Sequence, residues 1–438
     1  MKRLMLILTF CLVVVLLQPA AVSAVDAGSW PMFRQNPHHT GAVGSGDLEP
    51  PLKLKWKIPL NSIIDSSPAF SKTFVYVGTD SGYLYCIDVI EGKIEWKFNA
   101  GDVIISSPCV GYGNVYFGCY DGKLYALDAK TGELRFSFQT GSRIKSSPAV
   151  ADDMVYFGSL DWNIYGLDAK SGKLKWKTKT KWSVSSSPTY LEGNLFIGSD
   201  DKSVYCLDGK TGKVLYTYET RGDVYATPII TEGHSEKPVP HIADPEKAKE
   251  EHIDYQKIGG SVISAPTLVD DKLYFGSFDK HIYSFRRETN RSFWEAKLGD
   301  TISATIAYIK SAEPQTLSQS KAPESAAMPT SAAQVFTSEK VIVGSKDGSI
   351  YAFAAQDGHK LWETTTNGFI YSSAAVTDKY VFIGSWDGHF YILDINTGVI
   401  IWKYKTGGWI RSSAALYNNV VVFGSRDGYL YAFVSERS

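Results

Sequence analysis

Long hydrophobic runs are almost absent from this 438-residue sequence. The one exception opens the chain, from Leu4 to Leu17, and is shorter than the roughly 20 residues that span a bilayer. Lys2 and Arg3 precede it, and a small-residue stretch ending Val22-Ser23-Ala24 follows. Residues 1–24 therefore read as a secretory signal peptide, with the mature chain starting near Val25. Cys11 lacks the small residues that a bacterial lipidation signal places before its cysteine. The expected product has no transmembrane segment and is exported: periplasmic, secreted or at the cell surface.

An excess of either charge is also missing. Lys and Arg total 45 against 46 Asp and Glu, a formal charge of −1 that becomes more negative once Lys2 and Arg3 leave with the leader. Without a basic excess to follow a phosphate backbone, nucleic acid is excluded as the expected partner. Cysteine is scarce at five, one of them in the leader. Cys86, Cys109, Cys119 and Cys206 are not vicinal and form neither CxxC nor CxxCH, which excludes metal ribbons and covalently attached haem. They are expected to be small residues buried between sheets, although an exported protein can also oxidise a pair. The histidines His38, His39, His234, His241 and His252 fit no metal-ligand spacing. No catalytic residue and no metal site is assigned.

What the sequence does contain is repetition. The unit Val115-Tyr116-Phe117-Gly118-Cys119-Tyr120-Asp121-Gly122-Lys123-Leu124-Tyr125 returns from Val75, Val155, Leu195, Leu273, Val341, Val381 and Val421, about forty residues apart except for two longer gaps. Each unit reads as four strands, a to d. Ser146-Ser147-Pro148-Ala149-Val150 is a typical strand a, and Asp121-Gly122 and its relatives mark the b–c turn, for which a type I′ hairpin is expected. Strand c carries a tyrosine in every unit, and strand d brings an aromatic such as Trp96 or Trp176. A lone sheet of this pattern exposes apolar residues on both faces, and stacking sheets around an axis buries them. The expectation is an all-β fold, a single β-propeller of eight four-stranded blades over residues 52–438, after a leader segment at 25–51. The last unit stops after strand c, while Leu54-Lys55-Trp56-Lys57-Ile58 is an orphan strand d, so the N-terminal strand should close the ring. Residues 310–333 read as an inserted loop rich in Ser, Ala, Pro and Gln. Residues 223–258 leave a degenerate ninth unit open, with a polar insert at about 233–252.

Asp168-Ala169-Lys170-Ser171-Gly172-Lys173-Leu174-Lys175-Trp176 resembles the tryptophan-docking motif of pyrroloquinoline quinone (PQQ)-type propellers. Trp30-Pro31-Met32-Phe33-Arg34 and the residues after it are similar to the opening segment of such proteins. The resemblance implies one of two functions. One is that of the quinoprotein dehydrogenases, which bind PQQ and calcium and oxidise alcohols or sugars. The other is that of non-catalytic exported propellers, among them the lipoprotein subunit of the outer-membrane protein assembly machine. The ring of vicinal cysteines and the haem motif that many of the dehydrogenases carry are absent.

Comparing units within the chain separates scaffold from candidate site. On the c–d side the turns are near copies, as in Thr131-Gly132 and Thr397-Gly398. The d–a and b–c side varies. Before the turn aspartate stand Asp80, Tyr120, Leu160, Asp200, Phe278, Lys346, Trp386 and Arg426. Leading into strand a, an apolar residue recurs at Ile64, Ile104, Ile144, Val184, Val224, Val262, Ile370 and Ile410, so its neighbours point the other way. The candidate binding residues are Asp65, Arg143, Lys145, Tyr225, Phe369, Tyr371, Trp409 and Arg411 around one channel mouth, with Trp386 and Arg426 further out. Arginine beside aromatics suits a protein- or peptide-docking rim, and equally a flat anionic ligand held by stacking and ion pairing. The leading expectation is a non-catalytic scaffold that binds a protein or peptide through this face. The alternative is a PQQ- and calcium-dependent dehydrogenase. Neither the partner nor the oligomeric state follows from the sequence.

Overall fold

A computed structural model describes residues 31, 33, 41–42, 48–220, 264–269, 271–286, 291–310 and 339–436. Every regular element among them is a β-strand, and the 32 strands form eight four-stranded antiparallel sheets. Blades 1 to 4 span Ala69–Asn99, Cys109–Gln139, Ala149–Lys179 and Thr189–Glu219; blades 5 to 7 span Thr267–Lys297, Ala307–Thr365 and Ala375–Lys405. Blade 8 combines three strands between Ala415 and Ser435 with the N-terminal strand Leu52–Pro59. The innermost strands of successive blades lie side by side, and that of blade 1 returns to that of blade 8. The molecule is an eight-bladed propeller.

The N-terminal strand closes the ring as strand d of blade 8, with Leu52 opposite Ser435 and Trp56 opposite Ala432. Leu52 and Ile58 are buried, while Lys53, Lys55 and Lys57 face solvent. Trp56 also reaches across the seam. Its Nε1 donates to the Val89 carbonyl of blade 1 at 2.8 Å, and its ring lies where a side chain on Gly92 would stand. The same docking recurs around the ring, with Trp176 Nε1 donating to the Gly209 carbonyl and Trp362 Nε1 to that of Ile395.

The repeated residues each have a physical task. In the Ser-Ser-Pro lead of strand a, the first hydroxyl accepts the amide of the glycine ending strand b, as Ser106 does from Gly118 at 2.8 Å. The second hydroxyl accepts a backbone amide from the preceding blade, Ser107 from Ser67 at 3.0 Å and Ser147 from Ser107 at 2.9 Å. These links continue through Ser187, Thr305, Ser373 and Ser413 back to Ser67. The chain of hydroxyls breaks only at Ala265, which has none to offer Ser187. The turn aspartates accept the strand-c tyrosine hydroxyls, at 2.6 Å for Tyr125 on Asp121 and for Tyr391 on Asp387.

Two expectations change, and one is extended. The b–c turn is not type I′, because positive φ falls on only one residue, Gly122 at 83°. Gly122 bonds to the Cys119 carbonyl and Cys119 to that of Lys123, which makes a type I turn followed by one left-handed residue. The lead-in of strand a in blade 6 is Ile302, which the sequence comparison missed because Ser303-Ala304-Thr305-Ile306 replaces the Ser-Ser-Pro pattern there. Strand d of blade 5 carries Trp294, whose Nε1 donates to the Ala355 carbonyl at 3.1 Å. The loop expected at 310–333 follows strand a of blade 6, which ends at Lys310. The rest of that loop, the leader up to Trp30, the segment 223–258 with Val224, Tyr225 and the 233–252 insert, and Val262 lie outside the described residues. The four cysteines beyond the leader are buried and free of disulfides.

Candidate functional site

The b–c turn and the lead-in of strand a are fastened together in each blade whose lead-in is described. Trp386 donates its amide to the Phe369 carbonyl and Arg426 to that of Trp409, both at 2.9 Å. The recurrent apolar residue between them turns away from the axis into the blade interface. A side chain on Gly344 would come within 2.1 Å of Ile370 Cγ2, so only glycine fits opposite it. The residues flanking that apolar position, and those before the turn aspartate, are left to gather on one face.

On blades 7, 8 and 1 they form one cluster. The Asp65 side chain is 4% exposed and takes three hydrogen bonds, from Arg411 Nη1 at 3.0 Å and from Arg426 Nε and Nη2 at 2.8 and 2.6 Å. Each guanidinium also lies on an aromatic ring, Arg411 over Tyr371 at 5.5 Å and Arg426 over Trp386 and Trp409 at 5.6 and 5.7 Å. The rings stack in series: Tyr371 on Trp386 with centroids 4.5 Å apart, and Trp386 on Trp409 at 4.6 Å. Phe369 packs at the edge of Trp386, and both Phe369 and Trp409 remain 47% exposed. The result is a rigid, flat apolar patch whose charges are already paired beneath it.

The mouth leads into an axial cavity of about 120 Å³, lined by the second-serine ring and by Asp65, Ile105, Ser303, Tyr371 and Arg411. Phe33 lines the same cavity. Its segment is held at the far ends of two inner strands, where Val110 donates to the Pro31 carbonyl and Val376 to that of Gly41. Phe33 therefore reaches the cavity from the side opposite the mouth.

Of the expected site residues, Asp65, Phe369, Tyr371, Trp409 and Arg411 come together at the mouth. Trp386 and Arg426 were expected further out, but they are integral to the cluster, because Arg426 shares Asp65 with Arg411 and Trp386 lies between Tyr371 and Trp409. Arg143 and Lys145 lie on blade 3 of the same face. Arg143 is exposed over the Tyr120 ring at 5.2 Å, and Lys145 is half-buried. Tyr225 lies outside the described residues. Four neighbours are not among the candidate binding residues, although Asp80 and Lys346 stand in the variable position before the turn aspartate. Lys346 lies over the Phe278 and Tyr371 rings at 4.2 and 5.0 Å, and Trp162 and Trp182 stack at 5.1 Å while 39% and 44% exposed. The fourth is Asp80. Trp162 had a visible signal, since it occupies the position that is glycine in five other blades.

Electrostatics at the mouth follow from this crowding. Burial first, and then the Asp65 charge, push the Asp80 carboxyl up to about 6 against the pull of Arg426 and Arg411. Burial also lowers the Lys145 ammonium, helped by Arg411 and Lys346 and opposed by Asp200 and Asp65. Burial raises the Asp200 carboxyl, while a hydrogen bond from Ser185 and the charge of Lys145 pull it back.

No curated protein sequence matches the chain significantly. Among solved structures it is similar to BamB from Moraxella catarrhalis, with 22% identity over 87% of this chain and 99% of that one and a TM-score of 0.67. A europium-containing methanol dehydrogenase matches with 15% identity over 93% and 98% at a TM-score of 0.69. The quinohemoprotein alcohol dehydrogenase from Comamonas testosteroni matches with 15% identity over 94% and 81% at a TM-score of 0.67. At these identities the likeness is one of fold. A calcium-bound quinone needs several oxygen ligands held together. Among the described residues no three His, Cys, Asp or Glu side chains gather, and Asp65 is shared by two guanidiniums. The described residues do not fit that pair. The family model described as outer membrane protein assembly factor BamB matches residues 40–181, 163–368 and 279–437, which overlap along nearly the whole chain. The chain belongs to this family of PQQ-like propellers.

Proposed function

We propose that the protein is an exported, non-catalytic propeller that docks a protein or peptide partner on its d–a/b–c face. The carrying observation is the patch of Phe369, Tyr371, Trp386 and Trp409, stacked into a fixed surface and still exposed at both ends. Aromatic anchors with arginine beside them lose little side-chain entropy on binding and bury large area, the composition of interface hot spots. Pairing of Arg411 and Arg426 with Asp65 fixes the geometry before any partner arrives, which lowers the ordering cost of association. Export rests on the N-terminal sequence and on the BamB-like family. No helix among the described residues is long and apolar enough to cross a membrane. The dehydrogenase reading calls for a quinone and calcium site, which the mouth residues do not fit.

Photo-crosslinkers placed at Phe369 and Trp409 in cells, with Lys130 and Lys210 on the c–d side as controls, test the proposal. Discrete crosslinks to one protein from the first pair and none from the second support it. Equal labelling from both faces, or none from either, rejects it.

A further inference from the structure

The face carries a second aromatic platform and a surplus of positive charge. Trp162 lies in the b–c turn of blade 3 and Trp182 in the connection from blade 3 to blade 4. Trp386 and Trp409 occupy the same two kinds of loop on blade 7 and on the connection to blade 8. Four blades separate the pairs in a ring of eight, so they flank the mouth from opposite sides.

Trp162 is kept there against its backbone. Its φ is 71°, a left-handed conformation that glycine supplies in five other blades, Gly82, Gly122, Gly348, Gly388 and Gly428, and that the long, flexible Lys202 and Lys280 adopt in two more. A bulky residue in that region is strained, and such strain persists where the side chain serves a purpose beyond the turn. The turn itself needs no indole, and the Trp162 ring is 39% exposed on the face.

Between the two platforms, charge is unbalanced. Among the described residues Arg143, Lys145 and Lys346 have no carboxylate within ion-pair distance. Arg143 and Lys346 instead lie on aromatic rings. Asp65 is committed to Arg411 and Arg426, and Asp80 is half-protonated near pH 6. Lys145 is half-buried, with Arg411 and Lys346 as like-charged neighbours that outweigh the charges of Asp200 and Asp65 without either carboxylate pairing with it, so a carboxylate brought beside it gains more than it would at an open surface.

We propose that the segment docking on this face is an acidic peptide chain that crosses the mouth, sets a carboxylate over Lys145 and anchors apolar side chains on the two tryptophan platforms. This rests on the docking function proposed above and names the chemistry of its partner.

The test uses fluorescein-labelled twelve-residue peptides in which tryptophan alternates with glutamate, glutamine or lysine. The full chain should bind the glutamate peptide about tenfold more tightly than the glutamine peptide at low salt, a preference that fades at high salt. Lys145→Gln should remove the preference and leave the glutamine peptide unaffected. Trp162→Gly should weaken both peptides without lowering the melting temperature, because glycine suits the turn. Equal affinity for glutamate and glutamine, tighter binding of lysine, or a Lys145→Gln effect of the same size on both peptides overturns the proposal. So does a photo-crosslinker at position 145 that labels this chain's own residues. If partner crosslinks from Phe369 and Trp409 persist while the acid preference is absent, only the acidic chemistry fails. If those crosslinks are absent too, docking itself fails.

Discussion

Replacing Asp65 by asparagine tests the electrostatic frame of the mouth. The substitution keeps the shape and removes the charge that two guanidiniums share through three hydrogen bonds of 2.6 to 3.0 Å. Breaking a fully buried pair from one side costs about 3–5 kcal/mol. Arg411 and Arg426 remain 29% and 25% exposed, so water takes over part of the lost interaction and about 2–3 kcal/mol is expected. Asp80 adds a pH dependence. Its carboxyl is raised from 3.8 to about 6, by burial and then by Asp65. A group raised on folding contributes its stability in full below its ordinary value and loses it as pH climbs through about 6. With asparagine at position 65 the repulsion disappears, and Asp80 ionises against the freed guanidiniums. The cost of Asp65→Asn should therefore be largest near pH 4.5 and smaller by about 1 kcal/mol at pH 7.5. Urea melts across that range measure it, and in an Asp80→Asn background the cost should be flat. A cost that grows with pH, or one independent of pH in both backgrounds, refutes the reasoning.

Ile58→Ala together with Trp56→Ala should loosen the closing strand by about 4 kcal/mol through lost burial and the unpaired Val89 carbonyl. Amide exchange should then rise in blades 8 and 1 while blade 3 stays protected; uniform change around the ring would argue against closure by this strand. Ala265→Ser should complete the hydroxyl ring and raise stability by about 0.5–1 kcal/mol, seen as a higher melting temperature, whereas a lower one would mean the position rejects a hydroxyl. Asp161→Ala should cost about 2–3 kcal/mol, because it orphans the Tyr165 hydroxyl and the amides of Gly141 and Asn163. The Asp161 carboxyl is held below its ordinary value, with burial opposing and the Tyr165, Gly141 and Asn163 hydrogen bonds winning. Its contribution is thus present above about pH 4 and lost on acidification, and a variant whose deficit against the parent is as large at pH 2.5 as at pH 7 would contradict that assignment.

Blade number, ring closure and the shared face were legible because the forty-residue repeat prints each structural task at a fixed offset. The orphan strand around Trp56 announced its missing sheet in the same way. The turn type was misjudged because Asp-Gly suits both I′ and the type I turn with one left-handed residue. The tyrosine four residues after the aspartate, which fixes the carboxylate, is what distinguishes them here. Ile302 escaped because blade 6 replaces both serines and the proline. Arg426 and Trp386 were placed too far out because a periodic pattern gives direction, not reach, and an arginine side chain is long enough to return to Asp65. Trp162 was overlooked as a turn residue, although a tryptophan in a glycine position is itself the anomaly worth following.

The alternating lysines of the first strand acquire a meaning from the order in which the chain is made. Glu49 and Ser435 are hydrogen-bonded 386 residues apart, so the partner of Leu52–Pro59 is synthesised long after it. Joining ends that distant costs about 5 kcal/mol of chain entropy, and until then the strand waits as an unpaired apolar edge. Such edges recruit other chains into sheets, and lysines along them are a common deterrent. All three lysines are exposed in the finished blade, where Lys57 lies over the Tyr429 ring at 4.3 Å. Along the same strand their charges also suit the interval before closure, when an unpaired edge is most open to pairing with the wrong molecule.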